Sequence, residues 1–194
     1  MVLVLERKME LAKSDRLKTL LDVPWVNIVH SYGRASDFPE QVKTVLQGDQ
    51  SVYLTIANNM EHQGTIWPAT PFMLRVLLEL LNHQEANREK ILNICIRVYD
   101  ACLDFLSHDG SLQTIPNINA ILETIHLWED YIDEEQDGIL WEDYDYSAED
   151  WYSCCCICME LFDDYKSGIK ELVDSADISV KESALRLYRK IDEN

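Results

Sequence analysis

The sequence predicts an all-α protein, built from antiparallel helical hairpins that form a single domain over residues 1–194. Apolar residues recur at helical spacing of three and four along most of the chain. Only 6 Gly and 5 Pro interrupt the 194 residues, which favours helices over a turn-rich β fold. Hydrophobic residues make up 47% of the chain, enough to form one folded core.

The first half of the chain divides into short helices at glycine and proline. Residues 5–20 are predicted as a helix, and a second, short helix begins at Pro24 and ends near Tyr32. Gly33 follows as a C-terminal cap. A further helix runs from Asp37 to Gly48, and the pair Asp37 and Glu40 resembles a capping box.

The next segment contains two more helices separated by a structured turn. Asp49 caps a helix in which Val52, Ile56 and Met60 repeat at helical spacing. The turn spans His62 to Pro71, and the following helix covers residues 71–82.

In the second half, residues 87–106 form a helix with two apolar stripes. A helix that is apolar on two faces is expected in the middle of a helical stack. Further helices are predicted at residues 117–132, 147–164, 168–174 and 178–191, with Ser147 as a cap. Residues 133–146 between them are predicted as an acidic loop.

The charge of the chain is concentrated in one block. Its formal net charge is −18, and residues 98–165 hold 18 of its 35 acids and none of its 17 bases. Binding to nucleic acid requires clustered Lys and Arg, so a nucleic-acid ligand is not expected, and anionic membranes would repel the chain. A basic protein partner fits this charge distribution best.

The candidate partner-binding residues lie in the densest part of this block. Tyr and Trp are enriched at interface hot spots, and surrounding acids add steering and specificity. Trp141, Tyr144 and Tyr146 are expected to be exposed, because they stand among acids in the predicted loop. The full candidate set is Glu129, Asp130, Asp133, Glu134, Glu135, Asp137, Trp141, Glu142, Asp143, Tyr144, Asp145 and Tyr146.

Two patterns resemble metal sites, but each lacks a feature that the metal requires. Asp133, Glu135, Asp137 and Gly138 match the start of an EF-hand loop, but Tyr144 occupies the last position, where a bidentate Glu should close a calcium site. A solvated acidic loop, with Gly138 making a turn, is the simpler interpretation.

The run Cys154-Cys155-Cys156-Ile157-Cys158 suggests zinc, but on one helix these thiols point in diverging directions. Convergence with Cys95 and Cys102 would require a coincidence of packing. Small buried hydrophobic residues are the better interpretation. No metal ion and no cofactor are therefore predicted.

His62 and Gln63 suggest catalysis only superficially. No Ser or Cys nucleophile stands at a spacing that couples it to His62. Both side chains are expected to bond backbone groups of their turn, so no catalytic residue is predicted.

A cytoplasmic location is expected. The apolar run at the N-terminus is cut off by Glu6 and is too short for a signal peptide, and no apolar run reaches the length of a membrane span. The six cysteines lack a spaced disulfide pattern, which favours a reducing compartment.

The chain resembles bacterial proteins with HEAT repeats. The resemblance is carried by Trp25, His30, Tyr32-Gly33-Arg34-Ala35, Asp37-Phe38-Pro39, Gly48-Asp49 and His62-Gln63-Gly64-Thr65, and by the corner Asp177 to Leu185. It covers residues 25–81 and, loosely, 166–191.

The resemblance implies a short, non-catalytic α-solenoid. Some small proteins of this kind are similar to immunity proteins that neutralise a toxin encoded beside them. We therefore expect a protein that occludes a basic toxin domain. The alternative is a HEAT-type scaffold or regulatory subunit that binds another basic protein. A HEAT-type DNA glycosylase would need a basic concave face, which this chain lacks.

Overall fold

Helices dominate the structure, a computed structural model that describes residues 17–108, 117–124, 127–144 and 147–193. Helix accounts for 67% and strand for 5% of these residues, which confirms the predicted helical character. The longer helices are α1 (Phe38–Leu46), α2 (Tyr53–Met60), α3 (Thr70–Leu80), α4 (Arg88–His108), α5 (Ile118–Thr124), α6 (Glu134–Glu142), α7 (Ala148–Leu172) and α8 (Ile178–Asp192). Across the described ranges, no helix combines the length and apolar character needed to span a bilayer.

Helix α4 occupies the centre, as its two apolar stripes predict. It packs against α2, α3, α7 and α8. The ring of Tyr99 on α4 meets that of Phe162 on α7 edge to face, with centroids 5.2 Å apart. The Tyr99 hydroxyl donates to the Lys190 carbonyl on α8 at 2.8 Å. Buried side chains form one continuous hydrophobic cluster from Leu17 to Ile191.

Two short β-hairpins replace the predicted helix at Pro24 to Tyr32 and the predicted turn after α2. Strand β1 (Val29–His30) pairs antiparallel with β2 (Gly33–Arg34), and β3 (Glu61–His62) pairs with β4 (Thr65–Ile66). The helix prediction is wrong because Gly33, with φ of +113°, ends a hairpin turn and not a helix.

The first hairpin is bonded through its backbone to the residues just before and just after the second hairpin. The Ser31 N–H donates to the Asn59 carbonyl at 3.2 Å, and the Ala69 N–H donates to the Val29 carbonyl at 3.0 Å. Thr70 adds a bond from its hydroxyl to the Met60 carbonyl at 2.8 Å. These contacts fix the first hairpin against the segment that leads into α3.

Helix α6, helix α7 and the Asp37 side chain also differ from the sequence predictions. The predicted acidic loop contains helix α6, and α7 runs without a break through Gly168, where two helices were expected. The Asp37 side chain makes no capping bond to α1. It accepts instead from Gln41 at 2.6 Å and from Asn59 at 3.3 Å.

The remaining helices lie close to their predicted positions. Ser147 accepts from the Asp150 N–H at the start of α7, as its capping pattern predicts. Asp177 accepts from the N–H groups of Ser179 and Val180 at the start of α8. The helix predicted at 117–132 is shortened to α5, and most of the one predicted at 5–20 lies outside the described residues.

Candidate functional site

Residues 127–144, here called the acidic segment, are attached to the body of the protein by Asn27. The Trp128 N–H donates to the Asn27 carbonyl at 2.8 Å. The Asn27 side-chain amide donates to the Trp128 carbonyl at 2.9 Å and to Asp130 Oδ1 at 3.2 Å. Asn27 therefore fixes the start of the segment through both backbone and side chain.

Arg34, in strand β2, makes the second attachment. Its guanidinium donates to both carboxylate oxygens of Asp137, and it also donates to the carbonyls of Glu129 and Val26. It lies over the ring of Trp128, at 5.1 Å from the centroid. Only 5% of the Arg34 side chain is exposed. Arg34 thus joins the irregular start of the segment to helix α6.

Helix α6 forms despite its dense charge because its first turn suits acids. Asp133 caps it and accepts from the Gln136 N–H at 2.9 Å. Glu134, Glu135 and Asp137 lie in its first turn, where the helix dipole favours negative charge. Gly138 lies within the helix and makes no turn, contrary to the sequence prediction.

Aromatic rings hold the other end of α6. Trp141 stacks on Trp67, with centroids 5.1 Å apart, and lies parallel to Tyr144, with centroids 6.4 Å apart. Trp128 meets Trp141 edge on at 6.0 Å. Burial raises the pKa of the Tyr144 hydroxyl well above its ordinary value. These rings are half-buried or buried, so the expectation that Trp141 and Tyr144 stand free on the surface is wrong.

The structure separates the predicted partner-binding residues into three groups. Seven acids of the acidic segment are exposed and form what we call the acidic surface: Glu129, Asp130, Asp133, Glu134, Glu135, Glu142 and Asp143. Asp137 is bound by Arg34, and Trp141 and Tyr144 pack inward. Asp145 and Tyr146 lie outside the described residues.

The sequence interpretation missed the apolar side chains of this surface. Tyr131 is 51% exposed, Ile132 68% and Ile139 49%. On α6, Glu135, Ile139 and Glu142 are spaced so that all three share one outward face. The sequence carries this signal for Ile139, because the residues three and four positions away from it on either side are all polar.

The structure gives no support to an EF-hand loop at residues 133–144. Most of these residues are helical, and the Asp137 carboxylate is already paired with Arg34. In the described part of the chain, no group of three or more His, Cys, Asp or Glu is arranged to hold a metal ion.

The cysteines are brought together by packing. Cys95 and Cys102 of α4 are buried, as are Cys154, Cys155 and Cys158 of α7, while Cys156 is half-buried. Cys102 lies within hydrogen-bonding reach of Cys155 and Cys158. Burial raises the pKa of the Cys95 thiol to about 12. The thiols therefore act as core side chains, as the sequence predicts.

The sequence predicts that the side chains of His62 and Gln63 bond the backbone of their turn, and this prediction is wrong. The His62 ring lies 5.2 Å from the ring of Tyr32, and its Nδ1 is 3.1 Å from the Tyr32 hydroxyl. Gln63 is exposed at the tip of the second hairpin, with φ of +54°. The pair Tyr32 and His62 thus links the outer ends of the two hairpins.

Comparison with protein-family models, with curated protein sequences and with solved structures finds no match.

Proposed function

We propose that this protein is a non-catalytic binding module that uses the acidic surface to bind a basic protein. The observation that carries this proposal is the set of exposed apolar side chains, Tyr131, Ile132 and Ile139, placed among seven exposed acids. Acids alone would keep a surface hydrated, whereas apolar groups within them supply the desolvated contacts that interfaces require.

The attachment of the segment supports the same function. An interface gains affinity when its contact residues are held before binding, because less conformational entropy is lost. Arg34 and Asn27 hold the irregular residues 127–133, and the Trp67–Trp141 stack holds α6. The partner therefore meets a surface whose backbone is already ordered.

The acids contribute mainly to the rate of association and to partner choice. With a net charge of −18, the protein attracts basic partners over roughly a Debye length of 8 Å at physiological salt. Exposed ion pairs at the rim add little affinity each, so Tyr131, Ile132 and Ile139 are expected to dominate the binding free energy.

We further propose that the helices form a short HEAT-like solenoid. Three pairs of sequence-adjacent helices support this arrangement, namely α1 with α2, α3 with α4, and α7 with α8. Members of each pair pack against each other, and α2 also packs on α4, while α4 packs on α7 and α8. Helices α5 and α6 lie between the second and third pairs in the chain, so the acidic surface belongs to an insertion.

The resemblance to immunity proteins suggests the partner. A toxin domain that acts on nucleic acid or nucleotides uses Lys and Arg in its active site, and carboxylates that pair with these groups would occlude it. The alternative is a scaffold or regulatory subunit that binds another basic protein. Inhibition of the partner's activity distinguishes the two, because a scaffold leaves that activity intact.

Affinity capture from the native host tests the proposal. Immobilised wild-type protein is expected to retain a basic protein, identified by mass spectrometry, at about 0.15 M salt. A variant with Glu135→Lys, Glu142→Lys and Asp143→Lys should lose it. The matched control reverses three exposed acids of the third helix pair and its connection, Glu171, Asp174 and Glu182, and should retain it. Equal capture by both variants would exclude the acidic surface as the binding site.

A further inference from the structure

A groove separates the first hairpin from helix α6. It has a volume of about 430 Å³, within the usual range for binding sites. Tyr32, Gly33 and Arg34 form one wall, Gly138 and Trp141 form the other, and Trp128 also lines the groove. The groove borders the acidic surface, because α6 carries both.

Glycines on opposite walls keep this groove open. Gly33 requires its glycine, since its φ is +113°. The backbone at Gly138 does not require glycine, because this residue lies in a helix. Glycine there lowers helix stability by roughly 1 kcal/mol relative to alanine. A Cβ built on Gly138 meets nothing within 4 Å. The space that a side chain would occupy at this position is therefore left to the groove.

The charges at the groove favour a cation. Arg34 and Asp137 neutralise each other there. Glu134 lies one helical turn before Gly138 on the same side of α6, and its carboxylate is exposed and has no ion pair among the described residues. Glu134 thus places an unneutralised negative charge one helical turn from Gly138, on a protein whose net charge is −18.

The ring of Tyr32 provides an aromatic face at the rim. It is 59% exposed, and the hydrogen bond between its hydroxyl and His62 limits the positions the ring can adopt. A guanidinium or ammonium group over such a ring gains about 0.5–1 kcal/mol at an exposed site. The structure already shows this mode of recognition, since Arg34 lies over Trp128 and Tyr131.

We propose that the groove receives one basic side chain of the partner, preferably an arginine, as the anchor of the interface. Its aliphatic stem lies between Gly33 and Gly138, and its cation lies against the Tyr32 ring, where the Glu134 carboxylate, one helical turn from Gly138, attracts it. This inference rests on the proposed function, because it assigns the anchoring contact of the same partner.

Filling the groove tests the inference, with decaarginine as the probe. Gly138→Leu places a side chain in the groove, and Gly168→Leu is the matched control, since Gly168 is also within a helix and a Cβ there meets nothing within 4 Å. Titration calorimetry at about 0.15 M salt should show Gly138→Leu weakening binding about tenfold, equivalent to about 1.4 kcal/mol, and Gly168→Leu leaving it unchanged.

A second variant guards against a folding defect at Gly138. Tyr32→Leu keeps an apolar side chain at the rim but removes the aromatic face, and should weaken decaarginine binding about threefold, with less effect on decalysine. Circular dichroism checks that each variant retains its helix content.

The outcomes separate this inference from the proposed function. If Glu135→Lys, Glu142→Lys and Asp143→Lys together abolish binding while Gly138→Leu and Tyr32→Leu do not, the acidic surface stands and the groove is not the anchor. If reversing Glu171, Asp174 and Glu182 weakens binding as much as reversing the acidic surface, the probe responds to net charge alone and both proposals fail.

Discussion

Arg34 and Asp137 form a bidentate ion pair between residues 103 positions apart in the chain. Arg34 Nε lies 2.8 Å from Asp137 Oδ2, and Nη2 lies 2.7 Å from Oδ1. The pair joins the first hairpin to α6, and the same guanidinium also binds the Glu129 carbonyl at 2.7 Å. One side chain therefore positions both halves of the acidic segment.

Arg34→Lys is expected to loosen the acidic segment without unfolding the helical core. A lysine cannot make the two parallel bonds to Asp137 together with the bonds to the Glu129 and Val26 carbonyls. Breaking a buried pair costs about 3–5 kcal/mol, and here less, because the Asp137 side chain is 22% exposed. Hydrogen exchange should increase across residues 127–142 and stay unchanged in α4.

The exposed pair Lys43 and Glu40 supplies the control for that experiment. Its side chains are 64% and 72% exposed, so Lys43→Gln should change stability by less than about 1 kcal/mol and alter no exchange rate in the acidic segment. Unchanged exchange in residues 127–142 of the Arg34→Lys variant would show that the ion pair does not hold the segment.

Elements with local signals were predictable from the sequence. Helix α8 carries its own cap, Asp177, and its apolar residues Val180, Ala184 and Leu187 are buried where their spacing places them. The two apolar stripes of helix α4 predict that it lies at the centre of the stack, and the structure confirms this position.

Elements held by distant contacts were not predictable. Helix α6 has a local cap in Asp133, but its apolar residues follow no single face, and Gly138 weakens its helix propensity. Its stability depends on Arg34 and Trp67, which the sequence does not connect to it. The hairpin at Val29 to Arg34 is not predictable for the same reason, because its bonds to Asn59 and Ala69 join residues far apart in the sequence.

Gln63→Asn is expected to stabilise the protein. Gln63 has φ of +54° and Gly64 has φ of +82° at the tip of the second hairpin, a conformation in which Asn-Gly is preferred. The exposed Gln63 side chain makes no packing contribution that would be lost. We expect a gain of roughly 0.5–1 kcal/mol in the free energy of unfolding, measured by urea denaturation.

Gly64→Ala should act in the opposite direction. A Cβ there meets nothing within 4 Å, so any loss comes from the backbone conformation and not from a clash. We expect destabilisation by about 1 kcal/mol. Equal stability of the wild-type protein and both variants would mean that the turn conformation does not limit stability.

Asp37 is expected to make stability depend on pH in the acid range. Burial raises the pKa of its carboxyl, but the hydrogen bond and charge of His30, with the bond from Asn59, outweigh burial and lower it below the ordinary 3.8. A carboxyl with a lowered pKa in the folded state adds stability above its unfolded pKa. This contribution is lost as the pH falls through the folded value.

Asp37→Asn should therefore destabilise the protein at pH 7 and have little effect at low pH. The loss at pH 7 is expected to be about 1 kcal/mol, below the usual figure for a charged hydrogen bond because the Asp37 side chain is 47% exposed. The difference in unfolding free energy between the two proteins should narrow below about pH 4. A constant difference from pH 3 to pH 7 would contradict the role given to the carboxylate.

Cys156 is expected to be the first thiol to react in the native protein. The thiolate is the reactive form, and burial raises the pKa of the Cys95 thiol to about 12 and also raises those of Cys156 and Cys158, so access to the reagent decides which thiol reacts first. Cys156 is half-buried and the other cysteines are buried. Titration with a disulfide reagent at about pH 8 should modify one thiol slowly in native protein and six after denaturation, and Cys156→Ser should remove the native reaction. Rapid modification of several thiols in the native Cys156→Ser variant would mean that α4 and α7 separate readily, because the buried cysteines become accessible only when those two helices part.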